Sequence, residues 1–208
     1  MDVIEKREKT KLAPHRKEVD LGIYLEEGKT VPIKIYPLSY DQIEKLHLYL
    51  KRNQERGWIR RVWTRWAWSI ILVKKKDGKL RLCVDYRALN EITKKERHLL
   101  PLINKALDRL SGAKYLTKLD IKDAYHNICI KEGDKWKTTF LMKLETYEYL
   151  VMPFGLCNAP AAFQRWINEV LREYINVCCI SYLDAILIYS KTLQDHQCNR
   201  FILVSIVQ

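Results

Sequence analysis

The stretch Val177-Cys-Cys-Ile-Ser-Tyr-Leu-Asp-Ala-Ile-Leu-Ile-Tyr189 decides how the chain folds. Val177 to Tyr182 and Ile186 to Tyr189 are apolar runs of strand length, separated only by Leu183, Asp184 and Ala185. So short a separation predicts a hairpin, and therefore antiparallel pairing. The hairpin presents a lone carboxylate, Asp184, at a turn between two buried strands. Upstream, Ala159 to Tyr174 reads as a helix with Phe163, Trp166, Ile167, Val170 and Leu171 on one face. Further upstream, the strand Tyr115 to Asp120 also ends on a carboxylate, with Asp123 close behind.

The rest of the chain fills in around these elements. Ser39 and Gln42 form a capping box for a helix carrying Ile43, Leu46 and Leu50, and Gly57 stops it. A hairpin follows: Ile70 to Val73, the turn signal Asp77-Gly78, then Leu80, Leu82 and Val84 alternating with Lys79, Arg81 and Cys83. Ile103, Ala106, Leu107 and Leu110 predict a short helix closed by Gly112. His126 to Lys131, Trp136 to Met142 and Thr146 to Met152 read as three more strands. Residues 1–36 show no periodicity and read as an arm or linker. Antiparallel strands mixed with helices make the fold class α+β.

Composition narrows the function classes. The 208 residues are 48% hydrophobic, enough for a packed interior, which excludes wholesale disorder. The N-terminus is charged where a signal peptide is apolar. The run Trp66 to Val73 falls far short of the roughly 18 residues of a membrane span. A soluble, intracellular chain is expected. The six cysteines include no C-x-x-C pair and no His at zinc-ligand spacing, so reduced structural thiols are expected.

The net charge is +12, and residues 51–100 alone hold fifteen Lys or Arg against five Asp or Glu. Such a concentrated block suits a polyanion such as nucleic acid, but a solvated surface carries similar charge. Three features bear on chemistry: Asp120, Asp184 and the basic hairpin with Lys74, Lys75, Lys76, Lys79 and Arg81. Two carboxylates on rigid strand ends are what a two-metal phosphoryl-transfer site requires, because ions about 3.5–4 Å apart need anionic oxygens from different elements. By spacing alone, an Asp at a hairpin turn is usually ordinary turn chemistry.

The motifs are more specific than the spacing. The segment Val73-Lys-Lys-Lys-Asp-Gly-Lys-Leu-Arg-Leu-Cys-Val-Asp-Tyr-Arg-Ala-Leu-Asn90 resembles the fingers hairpin of reverse transcriptases from gypsy-type LTR retrotransposons. Leu116-Thr-Lys-Leu-Asp-Ile-Lys-Asp-Ala-Tyr-His126 resembles that family's first palm motif. Tyr147-Glu-Tyr-Leu-Val-Met-Pro-Phe-Gly-Leu-Cys-Asn-Ala-Pro-Ala-Ala-Phe-Gln164 resembles its second, and Tyr182-Leu-Asp-Ala185 stands where the family has Tyr-x-Asp-Asp. The four lie in order across residues 37–190.

The resemblance implies right-hand polymerase fingers (residues 37–94 and 127–158) and a partial palm (95–126 and 159–190), an antiparallel palm sheet backed by helices, with a divergent tail at 191–208. It implies RNA-directed DNA synthesis on a template-primer of RNA or DNA, with dNTP as substrate and two Mg²⁺ held by Asp120 and Asp184. Lys75 and Arg81 match triphosphate-holding residues of the fingers. The backbone amides of Asp123 and Ala124 would also touch the triphosphate. Tyr125 matches the steric gate against a ribose 2′-hydroxyl, and Phe154 and Gly155 would line the nucleotide pocket. His126 is expected to be structural.

Three departures stand out. Ala185 replaces the second Asp of the hairpin pair. Arg61-Val-Trp-Thr-Arg-Trp-Ala-Trp68 stands where the family has a Ser/Pro-rich linker. These Trp could stack on bases, and drift in a decaying element explains them equally. Gln194 to Gln208 resembles nothing in the family, and thumb, RNase H and integrase segments are expected to lie outside this chain. An impaired polymerase is the expectation; a non-catalytic, nucleic-acid-binding remnant of a retroelement is the alternative.

Overall fold

A computed structural model describes residues 12–27, 39–64, 66–74, 80–96, 108–142 and 145–207. In chain order the elements are α1 (Tyr40–Glu55), β1 (Ile59–Val62), β2 (Ile70–Lys74), β3 (Leu80–Val84), α2 (Arg87–Ile92), β4 (Tyr115–Asp120), β5 (Phe140–Met142), β6 (Glu145–Tyr149), α3 (Ala159–Val170), β7 (Cys179–Tyr182), β8 (Ala185–Ser190) and α4 (Leu193–Val207). Single 3₁₀ turns occupy Ala124–Asn127 and Lys135–Thr138. The fold is α+β, and the strand ladders among the described residues are antiparallel. No described helix is long and apolar enough to cross a membrane.

The chain divides into two compact units, residues 1–94 with 126–157 and residues 95–125 with 158–208. In the first, β1, β6 and β5 form a sheet in which Ile59 faces Tyr149 and Phe140 faces Tyr147. Leu46, Leu50, Phe140, Tyr149 and Met152 are buried there. Trp58 stacks flat on His126 with centroids 4.3 Å apart, which supports the structural role expected of that histidine. Arg60 reaches the buried Glu148 carboxylate at 2.6 Å, so this buried acid has a cation. β2 and β3 form a separate hairpin in register from Ile70↔Val84 to Lys74↔Leu80.

In the second unit the strand order is β4-β8-β7. β8 alternates so that Ile186, Ile188 and Ser190 are buried, the period-two pattern of a strand with one face against helices. α3 packs on β7, with Phe163, Gln164 and Ile167 buried along it, and α4 packs on β8 and β4. Trp166 and Val170 are only half-buried, so the apolar face of α3 is narrower than its sequence suggests.

Several sequence expectations shift. His126 and Asn127 lie in a 3₁₀ turn and only Cys129 and Ile130 make β-bridges, so His126 to Lys131 is not a strand. Likewise, Trp136 to Thr138 is 3₁₀, and the strand begins at Phe140. In the second of these, local turns close instead: the Lys137 N–H donates to the Asp134 carbonyl and the Thr138 hydroxyl to the Lys135 carbonyl. The helix expected over Ile103 to Leu110 lies largely outside the described residues, which show helix at Asp108 and Arg109 and a positive φ at Gly112. Residues 12–27, within the stretch read as an arm, dock on the first unit. Leu21 and Ile23 are buried, and Leu21 bridges Ile130.

Candidate functional site

The two carboxylates that end β4 and lead into β8 come from adjacent strands of one sheet. β4 runs in register against β8 from Tyr115↔Ser190 to Asp120↔Ala185. Tyr182 pairs with Ala185, so Leu183 and Asp184 alone form the turn. One further main-chain bond, Ile121 N–H to the Asp184 carbonyl at 2.8 Å, carries the ladder past both strand ends. Asp184 is therefore fixed beside the residue that follows Asp120, and both side chains are exposed.

A lysine pairs with Asp120 at this end. Lys118 Nζ lies 2.9 Å from Asp120 Oδ1. The hydrogen bond to Asp120, then its charge, hold the Lys118 proton more tightly than usual, and Asp184 adds to the effect. Tyr125 sits edge-on to Phe163 of α3, centroids 5.5 Å apart. Burial first, and the Asp184 charge second, push its hydroxyl pKa up. Asp123 adopts φ +50°, a left-handed conformation that Asp tolerates better than most residues, where the chain turns from β4 into the 3₁₀ segment beginning at the buried Ala124. Asp120, Asp184, Lys118 and Tyr125 thus share one neighbourhood.

The turn has a support that sequence reasoning missed. Leu183 has φ +53°, although the first residue of such a two-residue hairpin turn is ordinarily glycine. Its N–H donates to Gln164 Oε1 at 2.9 Å. Gln164 is fully buried on α3, and its Nε2 donates to Asn168 Oδ1 and Ser181 Oγ at 2.8 and 2.9 Å. A Gln on the apolar face of a strong helix was the available signal, since buried amides are retained only where they are satisfied.

Other expected site residues belong to the first unit. Phe154 is partly exposed and edge-on to His126, with centroids 5.8 Å apart. Gly155 has φ +100°, and its carbonyl accepts from Asn90 Nδ2 at 2.7 Å while Asn90 Oδ1 accepts the Cys157 N–H at 2.8 Å. Asn90 therefore staples this turn, and any side chain at 155 would be strained there. Arg81 faces Val73 across the β2–β3 ladder, but its side chain, Lys75 and the lysine turn lie outside the described residues.

Oxygen ligands on two strand ends suit a hard divalent cation such as Mg²⁺. Asp120 and Asp184 fit that chemistry, whereas the position opposite Asp120 holds Ala185 and offers no donor. A second cluster among the described residues, His15, Asp20 and Cys129, brings its ligand atoms within 4.8 Å of one another from positions far apart in sequence. Its groups are already satisfied: His15 Nδ1 lies 2.7 Å from Asp20 Oδ2, and Cys129 Sγ donates to the Ala13 carbonyl at 3.1 Å. Burial, with Asp20 adding to it, pushes the Cys129 thiol up to about 11, which keeps it protonated.

Residues 73–206 match the family described as reverse transcriptase (RNA-dependent DNA polymerase). The match runs through α4, so the tail read as unlike the family falls mostly within it. Over 171 residues the chain is 38% identical to the Transposon Tf2-3 and Tf2-7 polyproteins of Schizosaccharomyces pombe, covering 82% of this chain and 13% of each relative. The fold superposes on the foamy viral protease-reverse transcriptase solved in complex with an RNA/DNA hybrid, with TM-score 0.79 and 20% identity, covering 93% of this chain and 26% of that one.

Proposed function

Because the chain belongs to the reverse transcriptase (RNA-dependent DNA polymerase) family, we propose that it forms the fingers and partial palm of a gypsy-type LTR retrotransposon polymerase, impaired in this copy. The observation that carries this reading is the Ile121–Asp184 main-chain bond, which holds two exposed carboxylates at one sheet end. Asp120 and Asp184 are the metal-binding pair. Two Mg²⁺ ions bound there supply charge neutralisation to an incoming triphosphate and acidity to a primer 3′-hydroxyl.

The chain's own residues supply the rest. Asp120 and Asp184 offer the anionic oxygens, and Lys118 must release Asp120 for both of its oxygens to ligate. The Tyr125 ring, braced by Phe163, blocks the space of a ribose 2′-hydroxyl. The amides of Asp123 and Ala124, with Lys75 and Arg81, hold phosphate oxygens, and Phe154 and Gly155 border the base and sugar. Residues 37–94 and 127–158 are the fingers, and residues 95–126 and 159–190 are the incomplete palm.

A second reading, a remnant that binds nucleic acid without chemistry, is favoured by Ala185, where a third carboxylate would face Asp120. A gel shift with primer–template, with and without Mg²⁺ and dNTP, separates the two. A metal-dependent ternary complex supports the polymerase site. Binding that is steeply salt-dependent and indifferent to dNTP supports the remnant.

A further inference from the structure

The geometry points to Gln164 as a positioning residue that aims Asp184 through the backbone of Leu183, an inference that rests on Asp120 and Asp184 being the metal-binding pair. Leu183 occupies the left-handed region, φ +53°, where the β-carbon of an L-residue crowds its own following carbonyl. A leucine left to itself would relax out of this conformation. Rotation at Leu183 would swing the next residue, Asp184, away from the end of β4.

The restraint comes from a side chain that can act only one way round. The Leu183 N–H can only donate, so the Gln164 atom 2.9 Å from it is the amide oxygen. The amide nitrogen then points at acceptors, and it finds Asn168 Oδ1 at 2.8 Å and Ser181 Oγ at 2.9 Å. Ser181 Oγ in turn lies 3.0 Å from Asn168 Oδ1, which closes the ring of contacts. All of it is anchored on α3 and on β7, the strand that leads into the turn. Because Gln164 is fully buried, no water competes for the Leu183 amide from that side. On the far side, the Asp184 carbonyl is tied to Ile121. The turn is therefore clamped at both of its residues, once by α3 and once by the chain leaving β4. This arrangement fixes a metal ligand from behind, through its backbone, in the way outer-shell partners fix ligands through their side chains.

The test uses the full chain, Mn²⁺ binding followed by electron paramagnetic resonance, and amide hydrogen exchange. The Leu183 amide, in an exposed turn, should be protected in the parent, and Gln164→Met should speed its exchange at least about tenfold and weaken Mn²⁺ binding about tenfold. Leu183→Gly in the Gln164→Met background should recover most of the lost affinity, because glycine adopts the turn conformation without the clamp. A purely structural glutamine would not give that rescue. Circular dichroism checks folding, and Gln164→Glu, which keeps the acceptor, serves if Gln164→Met does not fold; it should retain amide protection. The inference is overturned by a Leu183 amide exchanging at the free-peptide rate in the parent, by Mn²⁺ affinity unchanged in a folded Gln164→Met, or by failure of the glycine rescue. If the parent shows no Mn²⁺ binding that Asp184→Asn abolishes, the metal reading itself fails. Exchange at Leu183 then still reports whether the clamp exists.

Discussion

Asp120 and Ala185 face each other directly across the β4–β8 ladder. Directly opposed residues on an antiparallel pair hold their β-carbons about 4.5–5.5 Å apart, close enough for two carboxylates to share a cation. A carboxylate at position 185 would therefore stand beside Asp120, not at the apex with Asp184.

Ala185→Asp should accordingly act in opposite directions with and without metal. Without it, like charges directly opposed should lower stability by roughly 0.2–1 kcal/mol. With saturating Mg²⁺ or Mn²⁺, the variant should gain stability relative to the parent and bind Mn²⁺ at least about tenfold more tightly, or about 1.4 kcal/mol. Urea titrations with and without metal check both signs. Loss of stability in both would mean that these carboxylates do not share an ion.

Lys118 competes for the same acid. Lys118→Met should tighten Mn²⁺ binding several-fold, since a cation 2.9 Å from Asp120 is removed. Thermal stability should barely change, because an exposed ion pair contributes little. The gain should shrink in high salt, where exposed charges are screened. Calorimetric Mn²⁺ titrations at low and high ionic strength read this directly, and unchanged affinity at low salt would remove Lys118 from the site.

Phe163 is the aromatic that α3 buries completely. Phe163→Ala should cost about 3–5 kcal/mol by opening a buried cavity and removing the Tyr125 contact. Trp166→Ala should cost less, since Trp166 is only half-buried. Equal losses in chemical denaturation would mean that the helix face is wider than it is drawn.

Alkaline stability should follow two buried thiols. Burial pushes Cys129 up to about 11 and Cys179 up to about 12, against an ordinary 9.0. Above pH 9 the unfolded chain loses these protons while the folded chain keeps them, so the unfolded state binds fewer protons. The stabilisation is complete below pH 9 and is lost as pH rises towards 11 to 12. Replacing both cysteines with Ala should flatten the fall in denaturation midpoint over that interval, and an unchanged slope would assign it to other groups.

Sequence alone determined the strand Tyr115–Asp120, the final hairpin and the helix start at Ala159, because each combines a strong local period with its own stop signal. It also marked Asp120 and Asp184 as the residues to watch, since a carboxylate at the end of an apolar strand is conspicuous. It did not reveal α4, whose sequence Leu193–Val207 has no clean polar face to register as helical period. Nor could it show residues 12–27 docking, a matter of long-range burial of Leu21 and Ile23. Only tertiary structure decided that Leu183, not a glycine, takes the left-handed turn position, and that Gln164, nineteen residues earlier, holds it there. A strained dihedral is stable only where surrounding packing and hydrogen bonds over-determine it, and those partners come from a different element of the fold.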